Sequence, residues 1–162
     1  MILHYFKKKE NIDQKTAKDL YKKIIQKSSV LLKENNYFKE KNYSSSFEIV
    51  SILLIFYIKL NIQNKIKNYK IINQHLIDIF ILDLDESLRT KGIGDMSIGK
   101  YVKSYVKKFY FRLSKFNIEP KEINYQFFQE YLKNFDFVNT SCRLDASKTI
   151  WNSLKKISDT YE

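Results

Sequence analysis

The stretch "SSFEIVSILLIFYIKL", residues 45–60, decides the fold. From Ile49 to Ile58 its only polar side chain is Ser51, and Ser45 followed by Glu48 has the spacing of a capping box at a helix start. Crossing a membrane takes about 20 apolar residues, and this run meets Lys59 after ten. A helix apolar all round but this short belongs at the centre of a bundle. The expectation is an all-α protein, a single compact helical bundle of about six helices around this apolar one.

The rest of the chain agrees with that centre. The 162 residues include three glycines and one proline, and the apolar spacing is helical nearly everywhere. A first helix is expected over 13–32, with Ala17, Leu20, Ile24 and Leu31 in one stripe. The connection after it carries Tyr37, Phe38 and Tyr43, aromatics suited to plugging the core edge. A third helix over 72–91 places Ile72, Leu76, Ile79, Phe80, Leu84 and Leu88 at three- and four-residue steps, with Asp85 and Arg89 spaced to pair. A fourth spans 97–116, with Asp95 or Ser97 as N-cap. A fifth spans 120–135, with Pro120 in its first turn and Ile123, Phe127, Phe128, Tyr131, Leu132 and Phe135 as its apolar residues. A last helix opens at Thr140 or Ser141 and turns Ala146, Ile150, Leu154 and Ile157 inward beside Trp151. Residues 13–158 read as one domain, preceded by a short basic N-terminal arm, 1–12.

Composition narrows the function. The formal net charge is +11, which points either to an acidic partner (RNA, an anionic membrane surface, an acidic protein) or to a well-solvated surface. Two distant histidines, His4 and His75, and one cysteine, Cys142, supply neither a zinc site nor a catalytic set. Asp83 and Asp85 are two apart on a helix, do not face each other, and read as a solvated edge. No cofactor, no metal and no small-molecule substrate are expected, and the protein is not expected to be an enzyme. The start, "MILHYFKKKENIDQK", puts apolar residues before Lys7, Lys8 and Lys9, the reverse of a secretory signal. With no signal peptide and no transmembrane span, a bacterial cytoplasmic protein is the expectation.

All three glycines lie in "GIGDMSIGK", 92–100. From Gly94 the order is Gly, four residues, Gly, Lys, most of a phosphate-binding loop. Tyr101 occupies the Ser/Thr position, however, and the segment before Gly94 is helical rather than a strand. The better reading is a corner between helices: Gly92 in a left-handed stop, Gly94 turning the chain again, and Gly99 at a close helix crossing. After the corner no acid occurs between Asp95 and Glu119. Ile98, Val102, Tyr105, Phe109, Leu113 and Phe116 share one face of the fourth helix, and Lys100, Lys103, Lys107, Lys108 and Lys115 the other. Arg112 lies at the boundary, where its fork suits a carboxylate or phosphate. Such a face suits RNA, anionic lipid or an acidic protein segment, with Tyr110 and Phe111 the nearest aromatics for base stacking.

The stretch "DLDESLRTKGIGDMSIGKYVKSYVKKFYFRL", 83–113, resembles the ubiquinol–cytochrome c chaperone family. That family has an acidic helix, a Leu-Arg-Glu-x-Gly-Val-Gly-Asp corner and a basic helix ending near Phe-Tyr-Gly-Arg. Leu88, Arg89, Gly92, Gly94 and Asp95 match, with Ile93 for Val, as do Lys103, Phe109, Tyr110 and Arg112. "FEIVSIL", 47–53, is similar to the family's Phe-Glu-Leu segment, and the similarity extends from about residue 15 to 155. Thr90, Phe111 and Leu53 depart from the usual Glu, Gly and His. The resemblance implies a non-enzymatic assembly factor for respiratory complex III, peripheral to the inner membrane. Its client would be nascent or newly inserted cytochrome b, with a small protein partner and a ribosome contact. It implies a binding surface of Arg89, Gly92, Gly94, Asp95, Lys100, Lys103, Lys107, Phe109, Tyr110 and Arg112. A general RNA- or ribosome-binding helical module is the alternative.

Overall fold

The computed structural model describes residues 11–33, 36–39, 42–116, 119–120, 122, 124–134 and 137–160. Six α-helices follow one another: α1 (Ile12–Lys33), α2 (Tyr43–Gln63), α3 (Tyr69–Thr90), α4 (Asp95–Lys115), α5 (Tyr125–Lys133) and α6 (Arg143–Asp159). A short 3₁₀ turn, Thr140–Cys142, leads into α6. Most of the expected N-terminal arm, with Ile123 and Phe135, lies outside the described residues.

α2 is the axis of the bundle. Every residue from Phe47 to Leu60 is buried except Val50 and Lys59, which are half-buried. Each buried Leu, Ile or Phe contributes roughly 1.5–3 kcal/mol, so the other helices arrange themselves to cover it. α1 and α3 pack on α2 and on each other, α4 lies against α3 and α2, and α6 pairs with α5 and returns to α2. The helix is longer than its uninterrupted apolar run, because Lys59 sits half-exposed while Leu60 and Asn61 turn inward. By length and composition α2 therefore meets the requirement for a membrane crossing, but 83% of its most apolar window is buried inside the bundle.

The helix start differs from expectation. Asn42, not Ser45, is the N-cap: its side-chain oxygen accepts from the Ser44 and Ser45 backbone N–H groups at 2.9 and 3.2 Å, and the Ser45 hydroxyl closes the box. Glu48 lies a full turn too far along to reach the cap. Similarly, α5 starts at Tyr125 with Asn124 as cap, accepting from Phe127 N–H at 3.0 Å, and Pro120 is a buried turn residue ahead of it. An asparagine side chain satisfies the free N–H groups that a proline ring leaves bare.

Two contacts tie distant parts together. Asn61 donates to Asn73 at 2.6 Å, and Asn73 donates to the Ile58 carbonyl at 3.3 Å, so a buried amide pair joins α2 to α3. Between the helices, Lys39 N–H donates to Phe137 C=O at 3.1 Å and Asn139 N–H to Tyr37 C=O at 2.8 Å. This isolated antiparallel bridge, Phe38 to Val138, stacks Phe38 on Phe137 with ring centres 6.0 Å apart. It closes the α1–α2 connection over the α5–α6 connection, and no local sequence pattern announces it.

Candidate functional site: a stapled corner, a basic helix and an apolar groove

α3 ends at the corner as the glycine pattern predicts. Gly92 has φ +85°, a conformation that side chains resist. Its N–H donates to the Arg89 carbonyl at 2.8 Å, and Ile93 N–H reaches back to Leu88 at 3.3 Å. Gly94 is extended (φ −68°, ψ 154°) and is itself the N-cap of α4, in place of Asp95 or Ser97. Asp95 serves differently. Arg89 donates to Asp85 one turn back at 2.6 Å and also to Asp95 across the corner, so a single guanidinium staples α3 to the start of α4. Two carboxylates raise the already high pKa of Arg89, and the aspartate sits at the positive end of the α4 dipole. Gly99 corrects the expected close crossing: it faces open space, with nothing within 4 Å of where a Cβ would stand.

The basic helix separates its faces as predicted, with two corrections. Lys100, Lys103, Lys107, Lys108 and Lys115 are exposed, together with Tyr110 and Phe111. Phe109, placed on the apolar face by its spacing but at the binding surface by the resemblance, is 1% exposed and packs on Phe80 with ring centres 5.0 Å apart. Arg112, expected to offer its fork to a partner, is buried and spends it inside the protein. Its Nε and Nη2 both donate to the carboxylate of Glu48 on α2, while Nη1 donates to the Lys108 carbonyl at 3.1 Å. The guanidinium also lies over the Phe47 ring, 5.4 Å from its centre. The reason is geometric: Arg112 belongs to the same side of α4 as Ile98 and Phe109, and Glu48 is the sole acid of the apolar helix. Burial pushes the Glu48 carboxyl above its ordinary range, against the downward pull of Arg112 and Lys108. Tyr131 of α5 borders the pair, and its hydroxyl is pushed up by burial and by the Glu48 charge.

A groove that sequence reasoning missed opens beside the corner. It holds about 720 Å³ between the second half of α1, the start of α2 and the second half of α3. Ile25, Leu32, Phe47, Val50, Phe80 and Leu84 give it an apolar floor, and Ser87, Thr90 and Lys91 form the wall next to the corner. The Tyr43 hydroxyl, buried and without a hydrogen-bond partner, also lines it, and the Lys91 ammonium lies 4.7 Å from the Tyr43 ring centre. Asp83, expected on a solvated edge, is a groove residue and accepts a 2.7 Å hydrogen bond from Tyr21 of α1. The half-exposed apolar residues of α1 and α3 were the available signal, since a helix stripe wider than its burial requires leaves a surface over.

No curated protein and no solved structure matches the chain significantly. A family model described as Ubiquinol-cytochrome C chaperone matches residues 39–118. That span is narrower than the resemblance from 15 to 155, and it runs from the loop before α2 to just beyond α4. It therefore contains the stapled corner, the basic helix, the Glu48–Arg112 pair and two of the three groove walls. Through this three-helix segment the chain matches the ubiquinol-cytochrome C chaperone family.

Proposed function

We propose that the protein is a non-enzymatic assembly chaperone for respiratory complex III that holds newly made cytochrome b through the groove and the corner beside it. The match of residues 39–118 to a chaperone family supports the assembly role. The observation that carries the client reading is the groove: an apolar floor with a polar, partly charged rim, set against a corner that Arg89 bridges to Asp85 and Asp95. An apolar segment not yet packed into its complex needs a surface of this kind, which removes hydrocarbon from water while leaving the segment's backbone polar groups partners at the rim.

Arg89, Asp85 and Asp95 pair with one another at the corner, beside Thr90 and Lys91 of the groove wall. Phe109 and Arg112 act from beneath, seating α4 on α2 and α3. Lys100, Lys103 and Lys107 remain outward and available to a second partner.

Filling the groove tests the reading. Ser87→Trp on the α3 wall and Ser29→Trp on the α1 wall should each lower complex III content in cells, with the circular dichroism spectrum and melting curve preserved. Normal complex III content with either folded variant would overturn it.

A further inference from the structure

The outer side of α4 lies opposite its buried side. At about 100° per residue, Met96, Lys100, Lys103, Lys107, Tyr110 and Phe111 project away from Ile98, Phe109 and Arg112. Met96 is fully exposed (103%), and Phe111 and Tyr110 are 54% and 47% exposed. Lys100, Lys103 and Lys107 enter no ion pair among the described residues. The one acid at this end, Asp95, is held by Arg89. The face thus offers unpaired ammonium groups on flexible stems, with apolar side chains standing between them in water.

Shape chooses among anionic partners. The lysines stand on the crest of a single convex helix of 21 residues, roughly 30 Å long, which meets a flat surface along its length. Single-stranded nucleic acid is tracked instead by a cationic groove with stacking platforms inside it. The one arginine of this helix, the side chain best built to clamp a phosphate, is turned inward onto Glu48. Lysine stems lie along hydrocarbon while their heads reach lipid phosphates. Met, Tyr and Phe fit at the depth where headgroups give way to acyl chains.

We propose that the outer face of α4, from Met96 to Phe111, is a docking surface for an anionic lipid bilayer. None of these six residues lines the groove, so the inference stands or falls independently of the client reading. Charge draws the helix to the surface and the apolar side chains hold it there. The association weakens with salt but survives better than a purely ionic one.

The test uses the full chain with vesicles of phosphatidylcholine, alone or mixed with phosphatidylglycerol. The protein should sediment with the mixed vesicles and not with the neutral ones. K103E/K107E should weaken this by about tenfold or more, since two surface lysines are lost and reversed. M96S/F111S, which leaves every charge in place, should weaken it severalfold and raise its salt sensitivity. Failure to sediment with anionic vesicles, indifference to either double variant, or displacement of bound protein by equimolar homopolymeric RNA would each overturn the proposal. Vesicle binding without any effect of groove filling on complex III would sink the client reading alone.

Discussion

Glu48 of α2 and Arg112 of α4, 64 residues apart in the chain, form a two-pronged ion pair in which each side chain is only 7% exposed. It joins the apolar axis of the bundle to the helix that carries the basic face. A buried pair gains little over a well-packed apolar one, but breaking it leaves a charge without a partner.

Arg112→Met should therefore destabilise the protein by about 3–5 kcal/mol, while Glu48→Leu with Arg112→Met should restore most of the loss. Urea midpoints for the two single variants and the double variant measure the coupling. The pH dependence has a defined sign. Glu48 is already held above its ordinary value of 4.5, and removing Arg112 takes away the largest influence that lowers it. The native state then keeps the proton to higher pH than the unfolded chain. Stability of Arg112→Met should fall as pH rises from 4.5 towards neutrality, more steeply than in the parent. A flat profile with parental stability would show that the pair is idle.

The corner and the basic helix make opposite demands on glycine. Gly92 has positive φ, so Gly92→Ala should cost about 1 kcal/mol through strain alone. Gly99 lies in the exposed helix with open space around it, so Gly99→Ala should raise stability by about 0.5–1 kcal/mol. Chemical denaturation of both variants reads the two signs directly. A destabilising Gly99→Ala would mean that something packs there.

Alkali should unfold the protein through its buried tyrosines. Burial raises Tyr21, Tyr43 and Tyr131 well above their ordinary value of 10, and the charge of Asp83 adds to the first two. The native state holds these phenolic protons longer than the unfolded chain, so stability is complete below pH 10 and is lost as pH rises beyond it. Tyrosinate absorbance should rise in a cooperative step that coincides with loss of helical circular dichroism. Gradual ionisation of all twelve tyrosines in a folded protein would refute this.

The sequence by itself determined the helices, the buried axis and the corner, because those depend on neighbours within a turn or two. The run from Ile49 to Ile58, broken only by Ser51, is too short to span a bilayer by itself and fits the centre of a bundle, and Gly92 at the end of a helical pattern marks a left-handed stop. The lysines of α4 were legible for the same reason: a 3.6-residue period separates Lys103 and Lys107 from Ile98 and Phe109 before any partner helix is known. Only the tertiary structure decided that Arg112 faces Glu48, that Asp83 receives Tyr21, and that three helices leave a groove beside Lys91. Each of these joins residues that no period links, and their energies come from burial and charge pairing across the bundle. Helix spacing leaves Arg112 at the boundary between the wet and buried faces; the helix opposite, through Glu48, turns it inward.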